Sequence, residues 1–271
     1  MPSRRPAAAP RGARSDSVPS SRTAARDARS LPPSGLAARS ARSVPRATRR
    51  RRALATDEIG TVMAILRRAA PSWGAPAVTL IAETTGDPFR VLISTILSLR
   101  TQDATTAVAA RRLFARAATP QAMLRLRAAT IAKLIYPVGF YRTKARTILA
   151  VCRALLERFG GEVPRDLDAL LTFQGVGRKT ANLVLTLGFG APGICVDTHV
   201  HRITNRWGYV RTRVPNDTEQ ALRRKLPRAH WIEINDLLVA FGQRVCRPIS
   251  PHCTRCPIAE HCPRRGVTLW R

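Results

Sequence analysis

Leu171-Thr172-Phe173-Gln174-Gly175-Val176-Gly177-Arg178-Lys179-Thr180-Ala181 sets two glycines between a short apolar segment and a longer one with helical spacing. Glycine tolerates a left-handed turn and lets another chain come close to its backbone. The N–H groups of Gly175, Val176, Gly177 and Arg178, where the second helix starts, suit one phosphate of a nucleic-acid backbone without reading a base. A lone G-x-G serves equally well as a plain helix connection, so its neighbours decide. Lys179 falls in the first turn, where the positive end of the helix dipole disfavours ammonium and favours the nucleophilic amine. Such an amine forms a Schiff base. Asp197 follows an apolar run in Val196-Asp197-Thr198-His199 and opens a further helix. Its carboxylate can cap that helix, or can also face the reacting centre, handling a proton or stabilising positive charge on a sugar.

Amines are scarce in this chain. Of its 46 basic residues only Lys133, Lys144, Lys179 and Lys225 are lysine; against 17 acids, the 271 residues carry a net +29. An imbalance that large points to a polyanion, most often nucleic acid. Residues 1–52 hold 14 arginines, two acids and repeated Pro, Ser and Ala, too few large apolar groups to offset the entropy of ordering. They are expected to be a disordered Arg-rich tail. Setting its +12 aside leaves +17 on the rest, so the basic character does not depend on it. The tail reads as a basic arm, an organelle transit peptide or an over-extended reading frame. It lacks the apolar run of a secretory signal. The expected location is a bacterial cytoplasm, in company with the nucleoid, or an organelle or nucleus if the tail is a targeting segment. No apolar stretch approaches the roughly 18 residues of a membrane span.

From Asp57 onward apolar residues recur at three and four spacing, as in Ile59, Val62, Met63, Leu66 and in Val91, Leu92, Thr95, Ile96, Leu99. The same pattern predicts helices at about 103–116, 120–136, 142–159, 166–172, 178–189, 198–207, 217–226 and 231–244, separated by Gly, Pro and Asn. No alternating strand series competes, so the fold is expected to be all-α.

Cys246, Cys253, Cys256 and Cys262 crowd into a proline-broken terminal loop with Pro248, Pro251, Pro257 and Pro263. Four thiols without a carboxylate suit a soft centre, either an iron-sulfur cluster or tetrahedral zinc. Zinc sites usually carry two C-x2-C knuckles and this loop has one, which favours a [4Fe-4S] cluster; zinc and disulfides stay as alternatives. His252 and His261 more simply contact phosphate or solvent. Arg244, Arg247, Arg255, Arg264 and Arg265 lie in and beside the loop, and a centre that folds it would present them to a phosphate backbone. Cys152 and Cys195 read as buried small hydrophobes.

Taken together, these motifs resemble the helix-hairpin-helix DNA glycosylases, most closely the endonuclease III branch, from about residue 55 to 265. The carriers are Asp87-Pro88-Phe89 with Ile96-Leu97-Ser98 and Asp103, Gly139-Phe140-Tyr141 with Lys144-Ala145, Gly160-Gly161-Glu162-Val163-Pro164, the hairpin with Lys179, Asp197-Thr198-His199 with Asn205-Arg206, and the four cysteines. The resemblance implies a two-lobed fold, with 80–191 a six-helix barrel bearing the hairpin and 54–79 plus 192–265 an iron-sulfur cluster domain, the active site lying in the cleft between. It implies a bifunctional glycosylase and AP lyase that excises oxidised pyrimidines from double-stranded DNA and acts on abasic sites, as a monomer. Lys179 would attack the anomeric carbon of an extruded nucleotide and Asp197 would assist, while His199 and Arg255 would meet DNA. Arg100 stands where bacterial relatives carry a glutamine that fills the gap left by the extruded base, with Gln102 two positions on. Phe140 is the candidate wedge into the base stack, or an ordinary core aromatic. Phe173-Gln174 replaces a common Leu-Pro, which should alter packing rather than chemistry. Two other readings stay open: a mismatch-specific glycosylase without lyase activity, and a cluster-bearing DNA-binding protein that has lost catalysis.

Overall fold

Short polar side chains and prolines set where the helices of this chain begin. Residues 52–271 are described by a computed structural model, and their regular structure is entirely helical. Twelve α-helices run α1 Ile59–Ala69, α2 Ala77–Thr85, α3 Pro88–Ser98, α4 Asp103–Arg116, α5 Pro120–Leu124, α6 Ala128–Ile135, α7 Tyr141–Phe159, α8 Leu167–Leu171, α9 Arg178–Leu183, α10 Thr198–Arg206, α11 Pro215–Lys225 and α12 Glu233–Arg244. Asp87, Thr119, Asp166 and Asp197 cap α3, α5, α8 and α10 by accepting backbone N–H bonds, and Pro88, Pro120 and Pro215 take the first turn, where a missing N–H costs nothing. The expected tail lies outside the described residues except for Arg52, which pairs with Glu58 at 3.1 Å.

Apolar side chains gather into two clusters. The first spans α2 to α9 around α3, which is buried on every side from Val91 to Leu97 and serves as the central helix. The second joins Ile59, Val62, Met63 and Leu66 of α1 to Val200 and Ile203 of α10 and Leu238 and Phe241 of α12. Over 190–197, ahead of α10, the chain has no helix, and side chains alternate: Ile194 and Val196 enter the second cluster while Cys195 enters the first. The segment that delivers Asp197 is thereby gripped from both sides.

Four local features depart from the sequence-based expectation. Helix α2 was not foreseen, because its Val and Thr content masks the helical pattern; Thr84 and Thr85 settle their hydroxyls by donating to the carbonyls of Leu80 and Ile81, both at 2.7 Å. The single helix expected at 120–136 is two, α5 and α6, since Arg127 turns extended before α6 with no glycine or proline to announce the break. Past Leu183 the helix widens into a π turn, Val184–Gly188. The 231–244 helix starts at Glu233 after a 3-10 turn at Arg228–His230.

Candidate active site

The two hairpin glycines have different duties. Gly175 has φ +79, and a Cβ there would meet Thr147 Cγ2 at 2.8 Å, so it makes the left-handed turn and the contact with α7. Gly177 has an ordinary φ of −99 and nothing within 4 Å of a would-be Cβ, leaving its face open to an approaching chain. Val176 does not face outward. Its side chain is in the core, and its N–H donates to Phe173 O at 3.1 Å. Phe173 is buried too, edge-on to Phe159 at 5.6 Å, so Phe173 and Val176 anchor the hairpin to the first cluster. The Arg178 guanidinium forms a double hydrogen bond with Glu219 of α11, at 2.7 and 3.0 Å, and Arg223 meets the same carboxylate at 3.0 Å. Burial pushes the Glu219 carboxyl up, but the hydrogen bonds and charges of these two arginines outweigh it and hold the group below its usual value. Arg178 therefore offers a ligand only its backbone N–H. That N–H and those of Gly177 and Lys179 have no partner among the described residues.

A cleft of about 810 Å³ opens beside the hairpin, and both Lys179 and Asp197 line it, together with Arg100, Phe140, Gly175 and His199. Asp197 does two things at once. Its Oδ1 caps α10, accepting from His199 N at 2.8 Å and Val200 N at 2.9 Å, while Oδ2 has no hydrogen bond among the described residues and is free to act in the cleft. His199 sits against Gly242, where a Cβ would approach Nδ1 to 2.3 Å, and has Arg202 Nη2 3.0 Å away. Burial lowers its pKa from the ordinary value despite Asp197, which acts to raise it. Phe140 is 62 % exposed with φ +58, which removes the core-aromatic alternative. Its ring faces the Arg100 guanidinium at 5.6 Å. Gln102 is exposed ahead of α4 and Arg255 is exposed on the cysteine loop; neither lines the cleft.

Other cleft residues went unnoticed in the sequence as functional groups. Lys144, buried on α7, has its ammonium pulled down to about 8 by desolvation. Asp236 of α12 is pushed up to about 6 by burial, with Glu83 adding to the rise and the Thr79 hydroxyl opposing it. Asn235 Nδ2 donates to Cys195 O at 3.3 Å, and Cys195 Sγ lies 3.5 Å from Lys179 O, so the segment ahead of α10 ties α12 to the base of α9. Amphipathic spacing marks these positions only as helix surface; burial of their charges is a tertiary event. Cys152 and Cys195 are buried as expected.

All four cysteines of the terminal loop line a single apolar-walled cavity, closed by Trp207, Phe241 and Ile258. No disulfide joins them. No three His, Cys, Asp or Glu side chains among the described residues converge as the ligands of one ion would. Arg206 Nη1 lies 3.4 Å from Cys246 Sγ and Arg264 N lies 3.4 Å from Cys262 Sγ, donors suited to thiolate sulfur. Burial pushes Cys256 up to about 12 and Cys262 to about 11, so thiolates there need a cationic centre to offset their charge. The donor set fits a four-thiolate cofactor.

Comparison with known proteins agrees with this geometry. Residues 93–228 match the HhH-GPD superfamily of base excision DNA repair proteins. Endonuclease III of Thermotoga maritima is 49 % identical over 183 residues, 66 % of this chain and 86 % of the relative. A chloroplastic endonuclease III homologue of Arabidopsis thaliana is 42 % identical over 73 % of this chain, which spans 55 % of that longer protein. A solved endonuclease III–DNA covalent intermediate, trapped with an estranged adenine, matches with TM-score 0.68 and 32 % identity over 77 % of this chain and 96 % of that one. With sequence and fold both alike around the cleft, this chain belongs to the HhH-GPD superfamily of base excision DNA repair proteins, as a relative of endonuclease III.

Proposed function

We propose that this protein is a bifunctional DNA glycosylase and AP lyase that removes oxidised pyrimidines from duplex DNA. The observation that carries this reading is the opening of the Lys179 amine and an uncapped oxygen of Asp197 into one cleft beside an anion-ready hairpin. A DNA phosphate docks on the free N–H groups of Gly177, Arg178 and Lys179. The damaged nucleotide turns out of the stack, because its anomeric carbon is shielded while stacked, and Phe140 and Arg100 fill the gap. Lys179 in its amine form bonds to C1′ as the glycosidic bond breaks, and the base leaves with the bonding pair and takes up a proton. Asp197 Oδ2 accepts the proton that the new ammonium sheds and steadies positive charge on the sugar. The C1′–O4′ bond then opens, O4′ taking up a proton, and leaves an iminium between C1′ and Lys179; this acidifies the C2′ proton, whose loss expels the 3′ phosphate and nicks the strand, and water then releases Lys179.

Cys246, Cys253, Cys256 and Cys262 are the proposed ligands of a [4Fe-4S] cluster, which would fold the loop and hold Arg255 toward the DNA backbone. The two apolar clusters support a division close to a barrel at 80–191 and a cluster lobe at 54–79 plus 192–265, with the difference that Val78 and Cys195 pack in the first cluster. A mismatch-specific glycosylase without lyase activity has no use for an amine in the cleft. Borohydride trapping on a duplex with one thymine glycol tests the proposal: a covalent adduct that Lys179→Ala abolishes is expected. Base release from mismatches without strand cleavage, or no adduct on any oxidised-base duplex, would overturn it.

A further inference from the structure

Two lysines line the cleft, and their environments differ sharply. Lys144 is only 6 % exposed and makes no ion pair among the described residues. Its three N–H donors all go to the end of α3 and the turn after it: to Leu97 O at 2.8 Å, to Leu99 O, and to Thr101 Oγ1 at 3.2 Å. The two carbonyls belong to the end of α3, where the helix leaves its last oxygens unsatisfied. Thr101 Oγ1 extends the contact by accepting from Gly139 N at 3.2 Å, across to the loop that carries Phe140. There the two backbones touch, since a Cβ on Gly139 would lie 2.6 Å from Arg100 O.

Arg100 and Phe140 stand at the tips of these joined loops. Both are non-glycine residues in the left-handed region, with φ 53 and φ 58, and such conformations persist only where surrounding contacts over-determine them. We propose that Lys144 is a positioning residue that fastens the Arg100 and Phe140 loops into one preformed pincer, so that the pair enters the duplex together instead of being ordered at the moment of binding. This rests on the proposed function, because it assigns the pincer to extruding a base. Preorganisation of this kind saves the entropy of ordering two tips on the DNA. Lys144 is not a second nucleophile: all three of its donors are engaged with oxygens of the protein.

The test compares wild type, Lys144→Met, Lys144→Arg, Thr101→Val, Phe140→Ala and the Lys144→Met/Phe140→Ala double variant. Single-turnover base release from a thymine glycol duplex is measured beside borohydride trapping on a preformed abasic duplex, which has no base left to extrude. Lys144→Met is expected to slow base release at least tenfold while trapping falls less than threefold, with Lys144→Arg restoring most of the loss. The loss in the double variant should fall clearly short of the product of the two single losses, because the clamp acts in part through the Phe140 tip. Losses that multiply, equal losses in both assays, base release within twofold of wild type, or an adduct mapped to Lys144 would each overturn the proposal. Should Lys144→Met fail to fold, Thr101→Val decides: it cuts the link between loops without stranding a charge, and a selective loss of at least threefold that merges with Phe140→Ala is expected, whereas an additive or absent loss refutes the clamp. Fluorescence of 2-aminopurine placed opposite the lesion separates this proposal from the enzymatic one. If wild type unstacks the probe and Lys144→Met does not, the clamp stands even where no adduct forms on any duplex; if both unstack it alike, the clamp falls while the chemistry is untouched.

Discussion

The hairpin at 172–177 and the cysteine loop at 246–262 are both short and rich in helix-breaking residues, yet they are held by opposite means. The hairpin is clamped by apolar packing: Phe173 and Val176 are in the core, Gly175 rests on Thr147, and α8 and α9 flank it. The cysteine loop has only two three-residue 3-10 turns, with Ile258 and Pro251 as its buried apolar anchors. It hangs from α10 largely by the Arg206 guanidinium, which donates to the carbonyls of Arg247 and Pro248 at 2.6 Å each. Its four thiols surround a cavity without bonding to one another. The contrast teaches that the hairpin is organised by apolar packing, whereas the terminal loop has little apolar packing of its own to hold it.

The largest expected effect falls on chemistry alone. Lys179→Ala should lower covalent trapping and strand cleavage on the order of 10⁴-fold while the thermal midpoint stays put. Gel assays beside calorimetry check this, and a parallel loss of stability would show that the hairpin region is less self-sufficient than its packing implies. Next is Cys256→Ser, expected to strip iron and sulfide and to speed amide exchange across 246–265 by at least about 100-fold, with 171–181 still protected. Loss of protection in both regions would erase the distinction. Phe173→Ala attacks the other side and should cost about 3–5 kcal/mol in urea unfolding with iron content unchanged, because it leaves a cavity beneath the hairpin.

Asp236 sits on α12, which leads into the cysteine loop, and desolvation penalises its carboxylate. Its ordinary pKa of 3.8 is raised to about 6, so the cost of ionising it appears as pH climbs between those values and is complete above about 6. Asp236→Asn should therefore add about 2 kcal/mol of stability at pH 8 and little at pH 4, read from paired urea melts. Equal gains at both values would mean that packing and not charge is responsible. The smallest effect belongs to Arg255→Ala, expected to reduce the salt slope of DNA binding by about one and to weaken all sequences alike. An unchanged slope would place that arginine off the phosphate path.

Legibility differed between backbone and side chains. Hydrophobic spacing located eleven of the twelve helices, α5 and α6 being run together, and missed α2, whose threonines satisfy themselves internally. The glycine pair, Lys179, Asp197 and the four cysteines stand out in the sequence because each is a residue type with scarce alternatives in a local pattern; Lys179 and Asp197 both line one cleft and the four cysteines another. Arg178 read as a backbone donor at the turn, and its N–H has no partner among the described residues, while its guanidinium is held by Glu219, 41 residues away. Val176 read as part of the binding turn and instead points into the core. Lys144 stood in a quoted motif, but nothing in a run of helix marked its burial or its partners, which lie 43 to 47 residues earlier.

The amino-acid order by itself determined that this chain is helical, strongly basic, supplied with one hairpin lysine and one four-thiol loop, since local spacing and composition decide propensity, charge and ligand chemistry. Only the tertiary structure decided which of those charges remain available. Neutralising Arg178, burying Lys144 and Asp236, and exposing Phe140 all depend on which faces meet across long stretches of chain, and desolvation acts on a group only after its neighbours have closed around it.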